Sequence, residues 1–112
     1  MLNPLDPQSG YTIGFTNVTA SGDTELVAAI AGHRIRLLWA VITNQGAAVI
    51  GVHLRSSATP ITSTHDLAAD GGGFVLNSMP GFYCQTVKGE ALAINLSAGG
   101  TVSIDFGWMR AG

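Results

Sequence analysis

The stretch TVSIDFGWM, residues 101–109, decides how the chain is read. Val102, Ile104, Phe106 and Trp108 fall on one side of an extended strand, and Thr101, Ser103, Asp105 and Gly107 fall on the other. Side chains alternate across a strand with a period of two, so the pattern predicts a half-buried β-strand and not a helix. Burying the four apolar side chains contributes roughly 6–12 kcal/mol before conformational entropy is subtracted. EALAINLS, residues 90–97, repeats the arrangement, with Leu92, Ile94 and Leu96 opposed to Ala91, Ala93, Asn95 and Ser97. The short Ala98-Gly99-Gly100 connection predicts that the two strands pair as a hairpin.

The same period runs upstream. YTIGFTN groups Tyr11, Ile13 and Phe15; DTELVAAI groups Leu26, Ala28 and Ile30; AVIGVHLR groups Ile50, Val52 and Leu54 opposite His53 and Arg55. HRIRLLWAVIT begins by alternating, with Ile35, Leu37, Trp39 and Val41 against Arg34 and Arg36, then turns apolar on both faces at Leu38, Ala40 and Ile42. A strand of that kind is covered on both sides, and a neighbouring subunit is one source of the second cover. Shorter strands are predicted at 59–62, 65–69, 73–77 and 82–86, separated by turn signals at 44–46, 70–73, 78–81 and 88–89. About eight or nine short strands with glycine-rich turns predict an all-β fold, an antiparallel β-sandwich or jelly roll. Residues 1–10, with Pro4 and Pro7, read as an extended arm, and residues 11–112 as a single β-sandwich domain.

Composition narrows the function. A chain of 112 residues holds one domain and one core. Charged residues make up 11%, against about 25% in ordinary soluble domains. Either the loops are polar and neutral, or nominal surface faces another protein copy, where charges are costly to desolvate. A net charge of −2 with five basic residues, of which Arg34 and Arg36 are the close pair, is not a nucleic-acid surface. The lone Cys84 cannot form an intrachain disulfide and fits a reducing compartment. MLNPLDPQSG lacks the basic and apolar regions of a secretory signal, and no apolar run approaches the ~20 residues of a membrane-spanning helix. The glycosylation-like triplets at Asn17 and Asn95 are expected to lie in strands and to be coincidental.

Candidate chemistry fails one motif at a time. ADGGGFVL, residues 69–76, has the glycines of a phosphate loop, but Phe74-Val75-Leu76 predicts a strand where that loop needs a helix. A calcium loop needs several alternating oxygen ligands, and only Asp70 and Asp66 are near. The glycines are therefore expected to turn a corner and deliver Phe74 and Leu76 into a strand. His33, His53 and His65 lack the short spacing that puts two metal ligands on one face. There is no G-x-S-x-G elbow, and Cys84 sits in an apolar setting where a thiol is inert packing. Asp105, Glu90 and Asp66 could be drawn together as paired carboxylates only by the fold. Trp39 and Trp108 share the parity of apolar faces and are expected in the core, while Phe82 or Tyr83 is expected to be exposed. No enzyme and no cofactor are expected.

GDTELVAAIAGHRIRLLWAVIT (22–43) is followed by VIGVHLRS (49–56), ATPIT (58–62), LAADGGGFVL (67–76), GFYCQTVKGEALAINLS (81–97) and VSIDFGW (102–108). This order resembles small jelly-roll virion proteins of tailed bacteriophages, in particular capsid decoration (cement) proteins. The resemblance covers about residues 22–110, and its most characteristic pieces are DGGGFVL and KGEALAINLS. It implies a non-enzymatic homo-oligomer, a trimer in the first place or another oligomer, made in the bacterial host cytoplasm and bound to the major capsid protein on the capsid exterior, with neither nucleic acid nor membrane as a partner. The arm residues Leu2, Pro4, Leu5 and Pro7 become candidates for capsid contact. Arg34, Arg36, His53, Gly72 and Tyr83 become candidates for the oligomer interface or its loops. The alternative is a tail-fibre or receptor-binding, carbohydrate-binding β-sandwich module, with an exposed aromatic such as Tyr83 as its platform.

Overall fold

Two five-stranded antiparallel sheets pack face to face in the computed structural model of the chain, which describes residues 11–112. The arm, with Leu2, Pro4, Leu5 and Pro7, lies outside the described residues. The strands are β1 (Tyr11–Val18), β2 (Gly22–Val27), β3 (Arg34–Asn44), β4 (Ile50–Ser56), β5 (Thr59–Pro60), β6 (His65–Leu67), β7 (Gly73–Asn77), β8 (Cys84–Gln85), β9 (Leu92–Leu96) and β10 (Val102–Ala111). The first sheet runs β1-β10-β3-β7 with β8 also on β3, and the second runs β2-β9-β4-β5 with β6 also on β4. Chain neighbours β1 to β4 alternate between sheets, as do β8, β9 and β10. That wrapping is the jelly-roll order, and the all-β sandwich expected from the alternation is what forms.

The predicted hairpin of 90–109 does not form. β9 pairs with β2 and β4 in the second sheet, whereas β10 pairs with β1 and β3 in the first. The Ser97–Thr101 connection is a corner between sheets. Leu92, Ile94 and Leu96 therefore meet Val102, Ile104 and Phe106 in one buried cluster between the sheets. A period of two identifies the buried face of each strand but not the sheet that receives it.

A second correction concerns β3. Leu37 pairs with Trp108 and Trp39 with Gly107, which leaves Leu38 as an extra residue without a partner on β10. Such a β-bulge reverses the side-chain alternation beyond it. Ile35 and Leu37 point inward before the bulge, and Ala40, Ile42 and Asn44 point inward after it. Trp39 and Val41 are thereby turned outward, so Trp39 is not a core residue, while Trp108 packs against the core as expected. A similar irregularity between Glu25 and Val27 ends β2 with Val27 buried, so Leu26, Ala28 and Ile30 do not form one strand face. Leu26 and Ile30 still pack against the core, but Ala28 is exposed. The shorter strands lie where expected, trimmed at 59–60, 65–67 and 84–85.

The glycine stretch is a corner held by one buried side chain. Asn44, fully buried at the end of β3, donates from Nδ2 to the Ala48 carbonyl at 2.8 Å and to the Leu67 carbonyl at 3.2 Å. Its Oδ1 accepts from the Gly46 N–H at 2.9 Å, while its backbone pairs with Gly72 O and Gly71 N. Gly71 has a φ of 106°, in the region that favours glycine. A Cβ on Gly72 would lie 2.7 Å from the Ala68 backbone nitrogen. Phe74 and Leu76 follow, packed against the core.

Asn44→Ala removes three hydrogen bonds, one of them to the buried Leu67 carbonyl, which should lower unfolding stability by about 2–4 kcal/mol in a urea titration. Gly72→Val should lower the thermal midpoint by roughly 8–20 °C through the backbone clash, as read by circular dichroism.

Candidate interaction face

The two sheets present unlike outer faces. Residues paired across an antiparallel sheet share a face, so the register gives each row directly. On the second sheet the outward residues include Asp23, Asn95, His53 and Arg55. Arg55 Nη1 lies 3.0 Å from Asp23 Oδ1, and Asn95 Nδ2 donates to the same oxygen at 2.8 Å. The Asn95 hydrogen bond is the largest influence holding the Asp23 carboxyl below its usual range, with Arg55 adding to it. This is a polar, hydrogen-bonded surface.

The middle of the first sheet's outer face is apolar, between a polar row of Asn17, Ser103 and Thr43 and a row of Tyr11, Met109, Arg36 and Gln85. One row runs Phe15, Asp105, Val41, Val75 across β1, β10, β3 and β7, and the next runs Ile13, Gly107, Trp39, Asn77. Phe15 is 79% exposed, Val75 70% and Ile13 62%. β1 is inverted relative to a core strand over most of its length: Ile13 and Phe15 face out, and Thr12, Gly14 and Thr16 occupy the inward parity with Val18. The Trp39 side chain lies against Gly107, and its Nε1 donates to the Tyr11 hydroxyl at 2.8 Å. With that donor satisfied within the sheet, the indole presents an apolar surface. Trp39, Val75, Asn77 and Met79 line a shallow depression on the β7 side.

The residues singled out from sequence do not converge. Arg34 and Arg36 lie at one end of β3, where Arg34 Nη1 donates to Thr86 O at 3.3 Å and Arg36 Nε to Gln85 Oε1 at 3.1 Å. The Arg36 guanidinium also sits 4.5 Å from the Phe82 ring centroid. His53 is on the opposite sheet, Gly72 is in the corner, and Tyr83 precedes β8 at the side of the sandwich. Phe82 and Tyr83 are both exposed. The patch of Ile13, Phe15, Val41 and Val75, drawn from two adjacent rows, was missed as a site, although the alternation in YTIGFTN contained its first members.

The other chemical candidates are dispersed. Asp105 is on the first sheet's outer face, Asp66 pairs with Gly51 on the second sheet, and Glu90 accepts from the Ser56 hydroxyl at 2.6 Å. Asn17 and Asn95 lie in β1 and β9. Among the described residues no group of three or more His, Cys, Asp or Glu is placed to hold a metal ion. Burial pushes the Cys84 thiol up to about 12, far from a reactive thiolate. The enclosed space between the sheets beside Phe74, Leu76, His65 and Tyr83 is about 10 Å³, room for about one water.

No protein-family model matches the chain, and no curated protein matches it in sequence. Among solved structures it is similar to a chain described as "Cyanophage Pam1 capsid asymmetric unit", with a TM-score of 0.51 at 13% sequence identity. The match covers 88% of this chain and 84% of that chain, so the two have the same fold over nearly their whole lengths.

Proposed function

We propose that this chain is a structural protein of a tailed-phage virion, a capsid decoration protein that binds the major capsid protein from outside and ties neighbouring capsomers together. The observation that carries the reading is the apolar middle of the first sheet's outer face, a surface suited to being covered by protein and not to holding a small ligand. The jelly-roll likeness to a chain from a cyanophage capsid supports a virion setting, and so do the DGGGFVL and KGEALAINLS pieces of the sequence. Few charges, a buried unreactive thiol and dispersed carboxylates favour a non-enzymatic role. In this reading the protein acts as a homotrimer on the capsid exterior. Residues 1–10 supply part of the capsid contact in this reading.

A second reading rests on one observation. Phe82 and Tyr83 are adjacent exposed aromatics, the kind of platform on which a sugar ring stacks, although Arg36 already covers the Phe82 ring. A receptor-binding module would use them.

Purified protein mixed with capsids of its source phage that lack it should co-sediment to a saturating ratio, and removing residues 1–10 should weaken that binding at least tenfold with little change in thermal midpoint. Failure to co-sediment at tens of micromolar, or unchanged binding with lost stability, contradicts the proposal. The receptor-binding reading expects saturable binding on a glycan array that Tyr83→Ala abolishes.

A further inference from the structure

The basic residues gather at one end of the sandwich. Arg34 and Arg36 open β3, Arg110 lies beside Ile35 near the end of β10, and Lys88 stands in the loop whose Gly89 N–H donates to His33 O at 2.8 Å. Arg55 is the fifth of the five basic residues, and it sits on the second sheet, paired with Asp23. The acids lie elsewhere. Asp70 is beyond the far end of β3, where its N–H donates to Gly46 O, and a strand of that length spans roughly 35 Å. Asp105 pairs with Val41, about 17 Å along the strand from Arg36. Such separations are screened, because the Debye length at physiological salt is about 8 Å. Glu90, in the loop at the basic end, is turned to the Ser56 hydroxyl at 2.6 Å.

Arg34 and Arg36 are held in place by the chain but not neutralised by it. Two residues apart on one strand, they share a face, with their Cα atoms about 7 Å apart. Arg34 is fixed through Nη1 by Thr86 O, and Arg36 through Nε by Gln85 Oε1 and by the Phe82 ring beneath its guanidinium. A guanidinium carries its N–H donors in a planar fork, so each side chain keeps donors for a ligand. Among the described residues the one ion pair is Arg55–Asp23, so neither Arg34 nor Arg36 meets a carboxylate there. Both are half-buried, and the apolar Phe82 and Val87 are exposed beside them. Two oriented, half-buried cations without a counter-charge form a place for an anion that comes from outside the domain.

We infer that this end of the sandwich binds an acidic protein segment, whose carboxylates meet Arg34 and Arg36 and whose apolar side chains pack on Phe82 and Val87. The chemistry of the site selects that class. Guanidinium and carboxylate pair through two parallel hydrogen bonds, and partial burial makes the pair stronger than it is in open water. A nucleic acid needs a basic track along its phosphate backbone. Here the basic end is short, and Asp105 stands farther along the same face. The exposed apolar neighbours match a peptide in which acidic and apolar residues are interleaved. The inference goes beyond the virion role and does not depend on it.

Fluorescence anisotropy tests this with the full chain and a labelled octapeptide of glutamates around one phenylalanine and one leucine. The intact protein should bind the peptide with a Kd on the order of 10–100 μM at low salt, weakened about fivefold or more at high salt. Arg34→Gln and Arg36→Gln should each weaken binding about three- to tenfold, and the double variant should abolish it with the circular dichroism spectrum unchanged. Arg55→Gln, on the other sheet, should bind as the intact protein does. Should an Arg34 or Arg36 variant fail to fold, Lys88→Gln and Arg110→Gln, at exposed positions, should each still weaken binding about twofold. No binding at about 1 mM peptide, binding kept by the double variant, or equal loss in Arg55→Gln overturns the inference. Equal binding of the peptide with glutamine in place of glutamate does so too. Single-stranded DNA that binds more tightly than the peptide, and is lost with the same arginines, overturns the choice of a protein partner. No capsid enters this assay, so its outcome is independent of the co-sedimentation result.

Discussion

Leu38, the extra residue in β3, sets where the core ends and the outer surface begins. β3 is the central strand of its sheet, flanked by β10 on one side and by β7 and β8 on the other. Without the bulge, Ile35, Leu37, Trp39 and Val41 would share one face, and Ala40, Ile42 and Asn44 would share the other. With it, the inward side collects Ile35, Leu37, Ala40, Ile42 and Asn44, and Trp39 and Val41 are expelled. The same position is where the neighbouring edge breaks. The Leu38 carbonyl accepts from Ser78 N–H at 2.9 Å and the Leu37 carbonyl from Tyr83 N–H at 2.7 Å, so the loop between β7 and β8 is spliced in there. One inserted residue thus places the apolar face, its hollow and the loop with Phe82 and Tyr83.

The bulge has a second consequence through Asn44. Because the alternation is reversed, Asn44 arrives inward at the end of β3, where its amide can reach the 45–49 loop and the end of β6 together. The glycine corner then closes on its backbone. A buried amide with all of these partners satisfied specifies one arrangement of the loops, since leaving any of them unpaired costs about 1–3 kcal/mol. Gly71–Gly73 therefore owe their place to chain direction and crowding, not to a ligand.

The fold class was legible because period-two alternation is local: Val102 to Trp108, Leu92 to Leu96 and Ile50 to Leu54 all bury the face their pattern predicts, and Phe74 and Leu76 follow the glycines as expected. What was not legible was non-local. Whether β9 and β10 pair side by side or face each other depends on competition among all strands, and Ala98-Gly99-Gly100 permits either. The bulge at Leu38 is invisible in HRIRLLWAVIT because an apolar residue fits either side of a strand that is apolar throughout. Trp39 was misassigned for that reason alone. Of the candidate site, Phe82 and Tyr83 are both exposed where one of the two was expected, and the Arg34 and Arg36 pair, His53 and Gly72 occupy separate regions. Charge and loop position cannot identify a flat apolar patch built from strand residues.

β1 shows why the apolar face is a property of the folded chain and not an unfilled core. A one-residue slip of this edge strand would turn Ile13 and Phe15 inward, and burying each would contribute about 1.5–3 kcal/mol. The slip is blocked from inside. The Phe106 ring lies directly over Gly14, where a Cβ would fall 2.6 Å from its Cζ, so the space beneath β1 is already filled by β10. Val18, buried opposite Val102, pins the other end of the strand. Phe106 and Val18 satisfy the interior while Ile13 and Phe15 remain available outside, and the sandwich holds together without burying them.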